Sequence, residues 1–186
     1  MKTLFIDTHL YDINIILFED NTIIREKHII GEKHNSRYLL PTVKEVVGND
    51  TYGEIIVVNG PGSFTGVRLG VTVAKTLAYT LNIPIKTITS LDLMNLSSDS
   101  GSHIFAISDG NGYFIGEYDN HNLVRDYYYL SNADFKLEAA KNKIETDVSI
   151  CYELVLEALK SKNAINPHSV NPIYIKLIGV ENAKKN

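Results

Sequence analysis

The chain has 186 residues, of which 44% are hydrophobic and 22% charged, with a net charge of −4 and a single cysteine. This length and composition suffice for one ordinary domain or two small lobes with a core, so no stabilising disulfide is needed. The lone Cys151 excludes an internal disulfide and any multi-cysteine metal site, and the negative charge gives no general attraction to nucleic acid. RNA contact is therefore expected only locally or through a partner.

The N-terminal apolar run is interrupted at Asp7, and no small-residue cleavage site follows, which argues against a signal peptide. No stretch approaches the roughly 20 apolar residues needed to cross a bilayer. We expect a cytoplasmic protein with no membrane contact.

The first half of the chain predicts three strands in a meander and then alternating helices and strands, in the order βββαβαβα. Pro41 falls inside the first helix, so we expect that helix to begin late or to kink. This order is typical of the ribonuclease-H-like lobe of the actin and sugar-kinase (ASKHA) group, which predicts an α/β fold. The predicted elements are the strands Thr3–Ile6, Ile13–Phe18, Thr22–Ile29, Glu54–Val58 and Ile85–Ile88 and the helices Asn35–Val47, Thr65–Leu81 and Ser90–Leu96.

The small polar run from Ser97 to Ser102 is the best boundary between lobes, which predicts a first lobe of residues 1–98 and a shorter second lobe of residues 99–186. The terminal segment either stays with the second lobe or returns to the first. The Asp109–Gly112 stretch is a strong hairpin signal. The predicted elements of the second lobe are the strands His103–Ser108, Tyr113–Tyr118 and Leu123–Tyr129 and the helices Asp134–Asn142 and Tyr152–Lys160.

The loop that follows the strand Glu54–Val58 reads NGPGSFTGVR over residues 59–68. Its glycine spacing matches neither the dinucleotide fingerprint nor the nucleotide P-loop. Two interpretations are open: a tight turn that lets strand and helix pack closely, or a weak anion site at the helix N-terminus, with Asp7, Thr8, Gly60 and Gly62 as candidate nucleotide contacts. Ser63 lacks the spacing of a nucleophile elbow and is expected to cap the helix.

The helix after this loop places Gly66, Gly70, Ala74 and Ala78 at every fourth residue, which makes one narrow face almost without side chains. Close packing within the chain and a subunit interface are both open interpretations of that face. Arg68, in the first turn, could pair with a carboxylate or a phosphate, and a surface salt bridge is the ordinary outcome. The six histidines form no pair at helical spacing, so no metal site is predicted.

The stretch VVNGPGSFTGVRLGVTVAKTLAYTLNIPIKTITSLDLM, residues 57–94, resembles the bacterial TsaB (YeaZ) family. LFIDT near the N-terminus, the His34–Pro41 stretch, AISDGNGYFIGEYD and the late NPIYIK resemble further family segments. The resemblance covers residues 1 to about 119 and is thin between about 120 and 170.

This resemblance implies an ASKHA fold with a shortened second lobe and a role in making N6-threonylcarbamoyladenosine (t6A) at position 37 of tRNA. In the family, TsaB is a partner of the catalytic paralogue TsaD, the ATPase TsaE joins them, and tRNA is reached through the complex. A homodimer is implied when the protein is alone. The resemblance also implies an interface on the two helices of the first lobe, with the residues His34, Tyr38, Leu39, Val43, Gly66, Arg68, Gly70, Ala74 and Ala78.

TsaD-like relatives carry two metal-binding histidines just after the strand equivalent to Ile85–Ile88, where this chain has Ser90 and Met94. A hydroxyl and a thioether do not replace two imidazoles, so the resemblance implies no catalytic residue and no metal. No cofactor is expected to be required, and any ATP or ADP binding is expected to be weak.

Two other hypotheses remain open from the sequence. One is an ASKHA-type small-molecule kinase or ATPase that uses Asp7 and the Gly60–Gly66 loop. The other is a free homodimer with a separate regulatory or proteolytic role.

Overall fold

The computed structural model describes residues 1–31 and 35–175. Its larger sheet contains β1 (Lys2–Asp7), β2 (Ile13–Glu19), β3 (Thr22–Ile29), β4 (Glu54–Val58) and β5 (Ile85–Ile88). The order across the sheet is β3-β2-β1-β4-β5, with β1, β2 and β3 antiparallel and β1, β4 and β5 parallel. All five residues of β4 are buried, as expected of a central parallel strand covered on both faces.

The smaller sheet follows in the chain. It contains β6 (Ser102–Ser108), β7 (Gly112–Asp119), β8 (Asn122–Leu123) and β9 (Tyr128–Ser131), all paired antiparallel around β7. The predicted hairpin joins β6 to β7, where the Asp109 carboxylate accepts hydrogen bonds from the backbone N–H groups of Asn111 and Gly112, each at 2.9 Å.

The described part of the chain contains five α-helices and a short 3-10 helix at Pro167–Ser169. The α-helices are α1 (Asn35–Val47), α2 (Phe64–Leu81), α3 (Ser90–Leu96), α4 (Asn132–Ala139) and α5 (Tyr152–Leu159). Helices α1 and α2 pack on the face of the larger sheet that carries Leu4 and Ile6, and α3 and α5 pack on the face that carries Phe5. Successive residues of a strand point to opposite faces, so one strand supplies both cores.

The meander, the parallel crossovers and the two sheets confirm the predicted α/β fold of ASKHA type with a small second lobe. The division at residues 98 and 99 stays a prediction, since two sheets do not by themselves define two folding units. Helix α5 belongs to the second predicted lobe in sequence, yet its Val155, Leu156 and Leu159 pack into the core of the first sheet.

Of the two outcomes expected for helix α1, a late start is wrong, and a kink at Pro41 stays a prediction. The helix begins at Asn35 and continues through Pro41. A proline removes one backbone donor, and the carbonyl that this donor would have met belongs to Arg37. Both residues are exposed, so a water molecule can donate a hydrogen bond to that carbonyl.

Two boundaries in the second half differ from prediction. The expected strand Leu123–Tyr129 is two short strands, because the chain leaves the sheet where the Tyr127 hydroxyl donates to the Asp92 carboxylate of α3 at 2.8 Å. The helix predicted at Asp134–Asn142 begins two residues earlier, because the Ser131 hydroxyl accepts from the backbone N–H of Asp134 and caps it.

Within the ranges described, no helix is long and apolar enough to cross a membrane.

Candidate functional site

The loop between β4 and α2 lies at the carboxyl end of the parallel strands, where proteins with open α/β sheets bind their ligands. Neighbouring segments hold it on several sides. The backbone N–H of Asn59 donates to the Ile88 carbonyl at 3.0 Å, and that of Ser90 donates to the Gly60 carbonyl at 2.9 Å. The Ser90 hydroxyl donates to the Pro61 carbonyl, and the backbone N–H of Ile173 donates to the Asn59 carbonyl. The loop therefore joins β4, β5, α3 and the C-terminal segment.

The turn after β1 lies directly against the N-terminus of α2. The backbone N–H of Ser63 donates to the His9 carbonyl at 2.6 Å, and the Thr8 hydroxyl donates to the Gly66 carbonyl at 2.7 Å. A Cβ atom at Gly62 would stand 2.1 Å from the His9 carbonyl oxygen, and one at Gly66 would stand 2.2 Å from the Thr8 carbonyl oxygen. The glycines are needed because two backbones meet here without room for a side chain.

This contact favours the packing interpretation of the loop over the phosphate interpretation. The helix N-terminus has a positive dipole end that would attract an anion. Here the carbonyl oxygens of residues 8 and 9 lie against its first turn and supply the negative partners. A phosphate at this position would have to displace the turn after β1.

Asp7, a candidate nucleotide contact at the end of β1, is buried and bonded to the chain itself. Its Oδ1 atom lies 2.6 Å from Nδ1 of His9 and accepts from the His9 backbone N–H at 3.0 Å. The hydroxyl of Tyr152, at the start of α5, donates to Oδ2 at 3.5 Å. The Tyr152 ring packs edge-on against Phe5, with centroids 5.3 Å apart. The carboxylate thus ties α5 to the first sheet.

The pKa of Asp7 follows from these neighbours. Burial acts to raise the pKa, but His9 and the hydrogen bonds from His9 and Tyr152 outweigh it, so the pKa lies below its ordinary value. Burial and the Asp7 charge raise the pKa of Tyr152, which therefore remains a donor. The carboxylate is therefore charged at neutral pH, and His9 and Tyr152 are the groups that interact with that charge.

Ser63 caps α2 as predicted. Its side chain accepts from the backbone N–H of Gly66 at 3.3 Å, and it is the N-cap residue of the helix. That bond gives Ser63 a structural role, as the absence of elbow spacing indicated.

The small-residue face of α2 packs inside the chain. Ala74 and Ala78 are completely buried in the core between α2 and the larger sheet. A Cβ atom at Gly70 would stand 2.3 Å from the Thr8 hydroxyl oxygen. Packing within the chain, one of the two open interpretations, therefore accounts for Gly66, Gly70, Ala74 and Ala78, whose side of the helix does not reach the surface.

The other predicted interface residues fall into two groups. Leu39 and Val43 of α1 are buried in the same core. Tyr38 is 41% exposed, and Arg68 is exposed on the outer side of α2. His34 lies outside the described residues. An interface role stays a prediction, and it can be tested directly only at the exposed positions.

Arg68 makes no salt bridge within residues 1–31 and 35–175, unlike the ordinary expectation. Its guanidinium lies 3.6 Å from the centroid of the Phe64 ring, and its Nε donates to the Tyr174 hydroxyl at 2.8 Å. Both rings are about half exposed. Sequence reasoning missed Tyr174 and Tyr152 because each lies more than 100 residues from its partner, although the NPIYIK segment already marked Tyr174 as part of a family pattern.

Ser90 and Met94, at the positions of the catalytic relatives' histidines, are both buried. Ser90 bonds the loop as described, and Met94 packs with Phe105 and Tyr118 of the second sheet. No group of three or more His, Cys, Asp or Glu side chains in the described ranges could hold a metal ion. Ser90 thus holds the loop in place, and Met94 packs against the smaller sheet.

A surface cavity of about 400 Å³ lies at the other end of α2, lined by Tyr79, Asn82, Pro84, Pro167 and His168 among others. The Tyr79 and His168 rings meet edge-on there, with centroids 4.9 Å apart. It is separate from the loop at the start of α2.

Comparison with known proteins gives one consistent family. Residues 30–122, half of the chain, match the family model described as TsaD, tRNA N6-adenosine threonylcarbamoyltransferase. A 99-residue segment is 39% identical to the tRNA threonylcarbamoyladenosine biosynthesis protein TsaB of Bacillus subtilis (strain 168), covering 50% of this chain and 43% of that protein. The Escherichia coli K12 protein of the same name is 29% identical over 99 residues, covering 50% of this chain and 42% of its own length. The chain thus matches less than half the length of these two relatives.

Two further comparisons cover nearly the whole chain. The uncharacterized MG208 homolog of Mycoplasma pneumoniae is 29% identical over 188 residues, covering 93% of this chain and 94% of its own. The solved structure of YeaZ from Pseudomonas aeruginosa superposes with a TM-score of 0.73 at 16% identity, covering 93% of this chain and 99% of that one. The latter supports the fold.

Proposed function

The chain belongs to the TsaD family, in its TsaB (YeaZ) branch, and we propose that it is a non-catalytic subunit of the t6A synthesis machinery that binds and activates a TsaD-type threonylcarbamoyltransferase. The observation that carries this proposal is the match over residues 30–122 together with the 39% identity to a TsaB protein. The matched range contains α1, the loop, α2 and α3, which are the parts of the first lobe considered above.

An accessory role is supported by what the candidate catalytic positions do. Asp7 is enclosed by His9 and Tyr152, and the N-terminus of α2 lies against the turn after β1. Ser90 and Met94 bond and pack within the chain. Each of these groups already bonds or packs within the chain. None would be available to bind a substrate unless those contacts were broken.

The proposed partners are a TsaD-type paralogue, a TsaE-type ATPase and, through the complex, tRNA. The paralogue would bind the outer surface of α1 and α2, where Tyr38 and Arg68 are exposed, and the buried small-residue face would hold α2 in place from beneath. A cytoplasmic location follows from tRNA as the final substrate. The chain would need no cofactor, and any ATP or ADP binding through Asp7, Thr8, Gly60 and Gly62 would be weak.

Nothing in the structure favours the alternative of a small-molecule kinase or ATPase. That activity would need Asp7 and the Gly60–Gly66 loop to face a nucleotide, and both are engaged with the turn after β1 or with α5.

A single exposed substitution tests the proposal. Thr72 lies on the exposed side of α2, away from the core. We expect Thr72→Arg to leave the fold intact and to abolish or strongly weaken co-purification with the TsaD-type protein of the same organism, with a matching loss of t6A in tRNA. Thr146→Arg, the same change at an exposed position after the second sheet, is the matched control and should leave both unchanged.

The proposal fails if folded Thr72→Arg and Thr146→Arg proteins behave alike and t6A does not fall when the wild-type chain is depleted. Mass spectrometry of digested tRNA measures the modification directly.

A further inference from the structure

Helix α3 lies between the two sheets and packs against both. Leu93 belongs to the core that contains Phe5 of the larger sheet. Leu91 and Met94 pack instead with Phe105 of the smaller sheet. All three α3 side chains belong to residues that are at most 5% exposed. Separating the sheets would therefore expose apolar surface of this helix to water, which is unfavourable.

A carboxylate in the first turn of α3 accepts hydrogen bonds from two tyrosine hydroxyls of the second half of the chain. Oδ1 of Asp92 accepts from Tyr118 of β7 and from Tyr127, each at 2.8 Å. The Thr89 hydroxyl, which accepts from the backbone N–H of Asp92 and caps α3, lies 3.0 Å from the Tyr127 hydroxyl. Since Tyr127 gives its single proton to Asp92, its oxygen accepts from Thr89. Hydrogen bonds to a charged acceptor are roughly twice as strong as neutral ones.

Both tyrosines keep their protons. Tyr118 is 2% exposed. Burial and the neighbouring Asp92 carboxylate raise the pKa of Tyr127 to about 12, and the same two causes raise the pKa of Tyr118. The two side chains therefore remain hydrogen-bond donors throughout the physiological pH range.

The other end of α3 holds the turn between β7 and β8. The side chain of Asn95, a residue that is 2% exposed, donates from Nδ2 to the His121 carbonyl at 3.1 Å. In return, Nδ1 of His121 lies 3.1 Å from the Asn95 carbonyl oxygen. Asn120 and His121 both have positive φ, 47° and 64°. This conformation costs free energy in a residue such as histidine and persists where the surrounding contacts hold it.

The chain crosses back to the larger sheet after α4. Glu145 pairs with the edge of β6, donating its backbone N–H to the Ile104 carbonyl at 2.8 Å and accepting from that of Ala106 at 2.9 Å. At the start of α5, the backbone N–H of Cys151 donates to the Ser97 hydroxyl at 3.1 Å. Helix α5 then packs on the larger sheet. Independent domains are joined by linkers that few contacts cross, whereas here two separate crossings are both bonded in place.

We infer that these contacts join the two sheets into one cooperative unit, in which the smaller sheet does not unfold while the larger sheet stays folded. A partner that binds one sheet would then stabilise both. Cooperativity of this kind is a property of the isolated chain and does not depend on the proposed partner. We call the polar residues that meet at α3 the α3 network: Thr89, Asp92, Asn95, Tyr118, His121 and Tyr127.

The chain contains no tryptophan, so a single introduced tryptophan reports the unfolding of the sheet that carries it. Tyr52→Trp places the reporter against the core of the larger sheet, and Tyr113→Trp places it in β7, where Tyr113 stacks on Phe135. In each protein the fluorescence and circular dichroism transitions in urea should coincide. Adding Tyr118→Phe with Tyr127→Phe should lower the midpoint by the same amount for both reporters, because the α3 network stabilises one shared unit.

A double-variant comparison tests whether Asp92 is the shared acceptor. Removing the Tyr118 and Tyr127 hydroxyls should raise the unfolding equilibrium constant about tenfold or more in the wild-type background and less than about threefold after Asp92→Ala. Tyr128→Phe is the control, because its hydroxyl bonds to Glu117 within the smaller sheet, and its effect should be the same in both backgrounds. Should Asp92→Ala fail to fold, Asp92→Asn keeps the shape and loses the charge, and hydroxyl removal should again cost less than in wild type.

Three results would overturn the inference. One is a smaller sheet that unfolds at a lower urea concentration than the larger sheet in the otherwise wild-type chain. The second is a midpoint shift from the two tyrosine changes that the Tyr52→Trp reporter does not detect. The third is hydroxyl removal that costs the same with and without Asp92. All three are measured on the isolated chain, so none of them decides the proposed function, which co-purification and tRNA modification test separately.

Discussion

The loop glycines are required by contacts with residues more than 50 positions earlier in the chain. Their spacing alone rejected the nucleotide fingerprints but left packing and anion binding open. The contacts of Gly62 and Gly66 with the carbonyl oxygens of His9 and Thr8 favour packing. Sequence periodicity reports neighbours along one helix, and it cannot identify which turn lies over that helix.

The close contact between Gly70 and Thr8 can be measured by comparing the stability of single and double variants at the two positions. Gly70→Ala brings a methyl group to 2.3 Å from the Thr8 hydroxyl oxygen. Overpacking of this kind costs about 1–3 kcal/mol, against which alanine's better helix propensity offsets about 1 kcal/mol. We expect Gly70→Ala to destabilise the wild-type chain and to be neutral or stabilising in a Thr8→Ala background, as measured by urea unfolding. Equal effects in both backgrounds would show that Thr8 is not the obstacle.

The buried Asp7 carboxylate should leave a signature in the pH dependence of stability. Its pKa in the folded chain lies below the ordinary value of 3.8, because His9 and the hydrogen bonds to the carboxylate overcome the effect of burial. A lowered pKa stabilises the fold above pH 3.8, and that stability is lost as the pH falls from there through the folded pKa. Asp7→Asn should therefore be less stable than wild type at neutral pH and lose less stability below pH 4, by urea unfolding at several pH values. Parallel profiles for the two proteins would refute this account of Asp7.

Helices and strands could be predicted from the sequence where a local hydrophobic pattern determines them. They could not be predicted where contacts with distant residues determine them. The periodicity of α1, α2 and α3 and the apolar run of β4 predicted these elements to within a residue. The strand expected at Leu123–Tyr129 failed because Tyr127 bonds to Asp92 of α3, a contact that no local pattern encodes. The placement of α5 against the first sheet was also beyond the sequence, since its anchors are Asp7 and Lys86.

Lys86 of β5 holds the C-terminal end of α5 and can be tested separately. Its ammonium lies 3.0 Å from the Glu54 carboxylate and donates to the Leu159 carbonyl at 3.1 Å, with both side chains about one-tenth exposed. Lys86→Ala leaves the Glu54 charge without its partner, which we expect to cost about 3–5 kcal/mol in the free energy of unfolding. The double change Glu54→Leu with Lys86→Met should cost clearly less, because no buried charge remains. A double variant at least as unstable as Lys86→Ala would contradict the ion-pair explanation.

The whole molecule combines a closed candidate ligand site with an open helix surface. At the carboxyl end of β1 and β4, the positions that could meet a nucleotide are bonded to the chain itself. On the outer side of α1 and α2, Tyr38, Tyr79 and the basic residues Arg37, Lys44 and Arg68 are exposed. Family resemblance predicted an interface on these two helices, and that interface stays a prediction. It could not show that Leu39, Val43 and the small residues of α2 are buried, because it carries no information on which side of each helix faces the sheet.

Reconstitution of t6A synthesis tests the central claim most directly. Unmodified tRNA and a threonylcarbamoyl donor would be incubated with the TsaD-type and TsaE-type proteins of the same organism, with or without this chain. The account predicts that t6A forms at a substantial rate only when the chain is present, and that Asp7→Asn protein, once shown to be folded, still supports it. Equal t6A formation without the chain would contradict the account.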